Sequence, residues 1–330
     1  MNKKAKYILY LTSAVIIVTS IASFWAFAHA MRAETDVRYH SLQHLITGRL
    51  LKTLKDTETN AKNVFDEVGK NLDSPSAVIE ALKSKTSLAP DVRGYFAAFT
   101  PKYFPEEGTW FEPYVHQTAD SSDFVLTMVG SARHDYTRSD WYVRALEEDK
   151  GFWSDPYYYY DGTGISGHYT TFVAPVHDAN GQLACVCGAD ITFEWLTRQM
   201  KQIDESYRKH PVLSDHRMMR NLDFYSVVID KDGSTIVHPD NKDKPLIDEE
   251  VLAEMQKNQW GTMNLTVNGD PARLYYGPVE GLDWTLIIVT SRHDNMKPTL
   301  AIGMALLIVA VLSILAVWGI CRTENHDEKN

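Results

Sequence analysis

Tyr136-Thr137-Arg138-Ser139-Asp140-Trp141-Tyr142 opens the stretch on which the reading of this chain turns. It continues through Phe152-Trp153-Ser154-Asp155-Pro156-Tyr157 and closes on Gly188-Ala189-Asp190. Aromatic faces, a guanidinium and several carboxylates lie close together in sequence. Aromatic rings attract cations by about 0.5–2 kcal/mol per contact, and an unpaired carboxylate is costly to bury. The mix suits a pocket for a small, polar, charged molecule better than a bare hydrophobic core. The bland alternatives are that Trp141 and Tyr142 are core aromatics at a helix start, that Arg138 makes a surface salt bridge, and that Asp190 is satisfied by Tyr157 or a water.

Outward from that stretch the chain reads as strands and turns. Residues 94–99, 124–129, 168–173 and 183–191 are short, aromatic and β-branched, with glycine, proline, asparagine and aspartate between them. Asp178-Ala179-Asn180-Gly181 is a hairpin turn, and Ser139 or Asp140 caps a helix over 141–148. If 157–160 is a strand, Tyr157 and Tyr159 share a face. Phe193, Leu196, Met200 and Ile203 stripe an amphipathic helix that links to a second strand-rich unit. There 224–229 and 234–237 flank Lys231-Asp232-Gly233, and 261–267 and 272–276 flank Asn268-Gly269, a strong hairpin signal. A short helix over 249–257 and a last strand over 284–290 complete a small antiparallel sheet with helices to one side. Asp230 and Asp232 are turn residues first, and His238 is structural.

Ahead of the strands, Leu42, Leu45, Ile46, Leu50, Leu54, Val64, Phe65, Val68 and Leu72 recur at three- and four-residue spacing, so 31–72 is expected to be one long helix. Ser74-Pro75 opens a shorter helix through Leu82. Two uncharged runs, 7–30 and 299–321, each reach the roughly 20 residues that cross a bilayer. Lys3, Lys4 and Lys6 orient the N-terminus to the cytoplasm. The expected layout is a cytoplasmic start at 1–6, a first span at 7–30, residues 31–297 outside the cytoplasm (periplasmic in a Gram-negative cell), a second span and a cytoplasmic tail at 322–330. The competing reading of 7–30 is a cleaved signal peptide ending at Ala28-His29-Ala30. The short tail leads us to expect no output domain, so that any signal passes to a separate kinase, phosphatase or cyclase.

A formal net charge of -10 argues against a nucleic-acid partner, which normally requires a basic patch. Cys185, Cys187 and Cys321 do not make a disulfide framework. Cys185 and Cys187, two apart on a strand, read as small apolar residues on one face. No zinc-ligand spacing, nucleophile elbow or phosphate-binding glycine loop is present, so neither a metal, a cofactor nor an enzyme activity is expected.

Asp140-Trp141-Tyr142 with Ala145, Trp153-Ser154-Asp155-Pro156-Tyr157, Ala174-Pro175-Val176, Gly188-Ala189-Asp190-Ile191, and Val228-Ile229-Asp230-Lys231-Asp232-Gly233 with His238-Pro239 together resemble the double Cache (dCache) sensor domains of bacterial membrane receptors. The resemblance covers about 34–294. It implies an α+β fold in which a long N-terminal helix carries two PAS-like antiparallel-sheet subdomains, flanked here by two transmembrane helices. The membrane-distal, ligand-binding subdomain falls at 73–192, the linking helix and loop at 193–220 and the membrane-proximal subdomain at 221–294. It implies ligand contacts at Arg138, Asp140, Trp141, Tyr142, Tyr157, Tyr159, Asp161 and Asp190, and a homodimer along 34–72. In amino-acid-binding members an arginine two before the Trp-Tyr pair takes the ligand carboxylate and a late aspartate takes its ammonium. Ser139 stands at that arginine position, and Arg138 lies one place further back. Asp140 directly precedes Trp141, and the aspartate after the tyrosine run falls at Asp161, about two places late. The ligand is then an amino acid, a cationic amine caged by aromatics and held by Asp140 or Asp190, or a related metabolite. The alternative role is a non-signalling, ligand-binding accessory subunit of an envelope complex.

Overall fold

The computed structural model describes residues 3–86, 92–117, 123–160, 166–209, 223–240 and 246–327. They fall into two compact units: Gln43–Gly261 with Tyr276–Ile288, and Met1–Leu42 with Thr262–Tyr275 and Val289–Asn330. Asp161, His210 and His216 lie outside the described residues.

In the first of these units, helix α1 (Lys3–Lys70) contributes its last turns. Helix α2 (Pro75–Thr86) follows after Ser74, whose hydroxyl accepts the Ala77 amide at 3.2 Å. A seven-stranded sheet then forms in the order β3-β2-β1-β7-β6-β4, with β5 also pairing β6. Its strands are β1 (Gly94–Phe99), β2 (Pro113–Gln117), β3 (Phe124–Met128), β4 (Phe152–Trp153), β5 (Tyr157–Tyr160), β6 (Ser166–His177) and β7 (Leu183–Thr192). The paired strands run antiparallel. Two were not expected from sequence: β2, which opens on a proline, and the two-residue β4. Helix α3 (Asp140–Glu148) starts at Ser139, but the Ser139 side chain makes no capping bond. The cap lies one turn earlier, where Asp135 accepts the Thr137 amide and hydroxyl.

Strand alternation distributes the two faces of this sheet. On β6, Phe172 lies in a near-parallel stack with Phe65 of α1, ring centroids 6.1 Å apart. Ala61, Val64, Phe65 and Val68 are the α1 positions that three- and four-residue spacing buries. The next residue, Val173, belongs to the opposite face. There Phe96, Ala98, Tyr114 and Val186 meet Tyr142 and Ala145 of α3. Cys185 and Cys187 are buried side by side with Sγ atoms 3.7 Å apart.

Helix α4 (Phe193–Lys209) leads on to β8 (Phe224–Ile229) and β9 (Thr235–Val237). It is pinned to β8 by Asp204, which accepts the Ser226 amide at 2.8 Å and hydroxyl at 2.6 Å. After helix α5 (Glu249–Asn258), strands β10 (Gly261–Val267), β11 (Asp270–Val279) and β12 (Trp284–Ser291) complete a five-stranded sheet, ordered β10-β11-β12-β8-β9.

The other unit carries the start of α1 and helix α6 (Arg292–Asp327), the two helices long and apolar enough to cross a membrane. Within it Asp36 of α1 receives a forked ion pair from Arg273 at 2.7 and 2.8 Å and the Tyr275 hydroxyl at 2.8 Å. Tyr39 stacks on Tyr275 at 4.9 Å and donates to Asn295 of α6 at 3.2 Å. Further along, Gly303 of α6 leaves room for the Phe24 ring, which an added Cβ would meet at 2.7 Å.

In the larger sheet, Phe96 of β1 and Gly188 of β7 are Cα partners, and a Cβ at 188 would sit 2.1 Å from the Phe96 ring. Gly188→Ala should therefore destabilise the protein by about 1–3 kcal/mol through overpacking. Denaturant unfolding measures this, with Gly181→Ala, at an open turn of positive φ, as a comparison whose cost is backbone strain rather than a clash.

Candidate ligand-binding site

The site is built on β7. Asp190 pairs with Gly94 of β1 on one side and Thr171 of β6 on the other, and is 7% exposed. Thr171 Oγ1 donates to Asp190 Oδ1 at 2.6 Å. The Tyr157 hydroxyl lies 2.7 Å from Thr171 Oγ1 and 3.4 Å from Asp190 Oδ1. Since Thr171 spends its proton on Asp190, Tyr157 donates to Thr171, giving a Tyr157–Thr171–Asp190 chain. Tyr114 also faces this carboxylate and, with Thr171 and Tyr157, lowers its pKa against the effect of burial. A Cβ at Gly94 would lie 2.7 Å from the Tyr114 ring, so only glycine lets Tyr114 lean in.

Around Asp190 lies a void of about 50 Å³. That is room for roughly three to five water-sized groups. Phe96, Tyr114, Trp141, Tyr157, Tyr159 and Tyr169 supply its aromatic lining. Val129, His134 and Glu112 complete it. His134 is 34% exposed, which puts it towards solvent. Glu112, directly before β2, is a second buried carboxyl, 3% exposed. Its Oε2 lies 3.6 Å from His134 Nε2 and accepts no hydrogen bond. Burial raises the Asp190 pKa to about 6, against the lowering effect of its hydroxyl neighbours. Burial, and then the nearby Asp190, push Glu112 well above the usual carboxylate range. No arginine or lysine is among the described lining residues.

Of the residues singled out in sequence, Trp141, Tyr157, Tyr159 and Asp190 come together here. Trp141 leans from α3 onto Phe96 at 5.0 Å. Tyr157 and Tyr159 share the inward face of β5, while Tyr158 is 60% exposed. Tyr142 sits behind them in the core. Arg138 and Asp140 lie elsewhere. Both are exposed: Arg138 pairs with Asp135 at 3.3 Å with its side chain 87% exposed, and Asp140 stands in the first turn of α3. The 3-10 turn Tyr136–Arg138 explains this. Tyr136 turns inward and donates to the Phe99 carbonyl at 2.6 Å. At about three residues per turn, Arg138 then projects away from Tyr136. Sequence reasoning missed Glu112, Tyr114, Phe96, Tyr169 and His134. The alternation in Glu112-Pro113-Tyr114 was the available signal, but a proline argues against a strand except at its first residue, where this one stands.

A larger cleft of about 900 Å³ is lined by Tyr158, His168, Glu194, Asp230, Asp232 and Asp248, among others. The small void is the better candidate because its carboxyls are buried and need partners.

Residues 78–198 match the family model described as methyl-accepting chemotaxis protein-like, first PDC sensor domain. Over those residues this chain resembles a PDC sensor domain. Its fold is similar to that of the extracellular domain of mmHK1S-Z3, described as a histidine kinase, at 20% identity over 80% of this chain and 97% of that one, with a TM-score of 0.58. It is also similar to the ligand-binding domain of the Pseudomonas fluorescens chemoreceptor CtaA in complex with L-isoleucine (17% identity, 81% and 97% covered, TM-score 0.53). The ligand-binding domain of the Campylobacter jejuni chemoreceptor Tlp3 in complex with 4-methylisoleucine is another (14%, 81% and 95%, 0.58). No curated protein matches the chain.

The buried carboxyls set how the sensor domain responds to pH. A carboxyl whose folded pKa is raised holds its proton longer folded than unfolded, so its contribution to stability is lost as pH rises. For Asp190 that window runs from about pH 4 to about pH 6, and Asp204, also raised to about 6 by burial, acts in the same sense. Asp190→Asn should remove part of the loss and raise stability at pH 7 by up to about 2–3 kcal/mol. Thermal unfolding of both proteins at about pH 4 and about pH 7 measures it, with the larger difference expected at the higher pH.

Proposed function

We propose that this protein is a membrane-anchored receptor whose extracytoplasmic sensor domain binds a small cationic amine in the Asp190 pocket. The supporting observation is a buried carboxylate, held by hydroxyls and ringed by aromatics, in a void with no described arginine or lysine lining it. CtaA and Tlp3 were solved with amino acids. An amino acid needs a partner for its carboxylate as well as its ammonium, and the arginine closest in sequence to Trp141 is spent on Asp135 at the surface. An ammonium alone satisfies Asp190 and gains cation–π attraction from Trp141, Tyr157 and Tyr169.

In this reading the apolar segments of α1 and α6 cross the cytoplasmic membrane, with residues about 31–297 outside the cytoplasm. The basic start of α1 supports that orientation. Bound amine favours one arrangement of the domain by its differential affinity for the two states. The output reaches a signalling protein of the kind to which similar sensor domains belong, a chemoreceptor or histidine kinase. Pairing of two copies along α1 belongs to the same reading.

Calorimetry on the full chain in nanodiscs tests the ligand class, with butylamine, L-leucine and butyrate as probes. Butylamine should bind, and butyrate should not. Asp190→Asn and Trp141→Ala should each weaken butylamine by at least about tenfold, or 1.4 kcal/mol. Binding of L-leucine in preference to butylamine, or unchanged affinity in both variants, would overturn the amine reading.

A further inference from the structure

We propose that Glu112 is a second ligand-binding carboxyl, and that the ligand is a short amine carrying another hydrogen-bond donor, ammonium or hydroxyl, at its far end. The proposal rests on the reading of Asp190 as the ammonium site and specifies what that ligand must carry besides.

Strand register places the two carboxyls. Phe96 of β1 pairs with Gly188 of β7 and Tyr114 of β2. Asp190 stands two residues beyond Gly188, opposite Gly94, and Glu112 stands two residues before Tyr114. Two-residue steps keep a side chain on the same face of a sheet. The antiparallel pairings carry these two steps in opposite directions along β1, so the carboxyls approach one void from either side of Phe96.

The polar atoms around the void differ in what they already have. Asp190 is served by Thr171, which Tyr157 supports in turn. Glu112 Oε2 is buried without a hydrogen bond, and its near neighbour His134 stops at 3.6 Å. The Tyr114 hydroxyl, between the two carboxyls in the register, faces Asp190. Buried polar groups in folded proteins are normally paired, so the unmet Glu112 oxygen describes a missing polar partner. An alkylamine placed on Asp190 turns its hydrocarbon end towards Glu112 and leaves it unmet. A second donor at that end meets it. The void admits a chain of roughly three to five atoms, so the donor stands two or three carbons from the amine. A hydroxyl or an ammonium would serve, since each presents a donor to Glu112.

Three amines with equal numbers of heavy atoms test this on the full chain in nanodiscs: butylamine, 3-amino-1-propanol and 1,3-diaminopropane. On the wild-type protein, one or both of the donor-bearing compounds should bind at least tenfold more tightly than butylamine, and which one does so identifies the donor. In Glu112→Leu, and in Glu112→Met should the first not fold, that advantage should fall below threefold. A residue with only a structural role would weaken all three alike. Equal or tighter binding of butylamine to the wild type overturns the proposal without any variant and leaves the amine reading intact. Persistence of the donor advantage in a folded Glu112 variant overturns it too. Failure of all three amines to bind the wild type overturns the amine reading along with the proposal.

Discussion

Asp190 is a carboxylate set in the middle of a close-packed sheet, and the pocket is arranged around the cost of keeping it there. A buried ion without a counter-charge is expensive. Its neighbours answer with hydroxyls: Thr171 across the β6 pairing and Tyr157 beyond it. Hydroxyls lower the cost without cancelling the charge, and the residual penalty appears as a pKa raised to about 6. A structural aspartate could have been neutralised by a lysine or arginine in the same lining. An unneutralised one is what the proposed amine would pair with. The price is a domain less stable at neutral pH than its sheet would otherwise allow.

The same sheet provides the rigidity that such a site requires. Strands β1 and β7 approach so closely at Phe96 and Gly188 that no other side chain fits there. Phe96 is thereby fixed against Trp141 on one side and Tyr114 on the other. Alternation then assigns neighbouring residues to different tasks. Phe172 packs on α1 while Val173 supports the α3 side, and Tyr157 and Tyr159 face the void while Tyr158 faces out. A register slip of one residue on β7 would exchange Asp190 for Ala189 or Ile191 and erase the site.

In the unit that holds the apolar helices, one carboxylate has the opposite treatment. Asp36 is fully paired, with a forked guanidinium from Arg273 and a hydroxyl from Tyr275. Charge-assisted, two-point pairing fixes direction as well as distance. Through Tyr39 and Asn295 the cluster ties α1 to α6 just outside their apolar stretches. The carboxylate beside the helices is met by a cation, whereas Asp190 in the pocket is met by hydroxyls.

Local pattern carried much of this in advance. The long helix, most strands, both hairpin turns and the pairing of Tyr157 with Tyr159 follow from periodicity and turn chemistry, which depend on residues close in sequence. The exceptions were β2, whose opening proline reads as loop until a neighbouring strand is there to pair with it, and the two-residue β4, too short for any periodicity. The site was legible to the same extent. Trp141, Tyr157, Tyr159 and Asp190 stood out because aromatics and a carboxylate on apolar elements are conspicuous. Arg138 and Asp140 looked equal to them on proximity alone, but the inward turn of Tyr136 carries Arg138 to the surface. Glu112, 78 residues before Asp190 in sequence, had no local mark at all. By itself the sequence determined the elements, the two apolar helices and the chemical character of the pocket. Only the tertiary structure decided which charges enter that pocket, because burial and the lack of a lysine or arginine among the described lining residues are properties of strands brought together from distant parts of the chain.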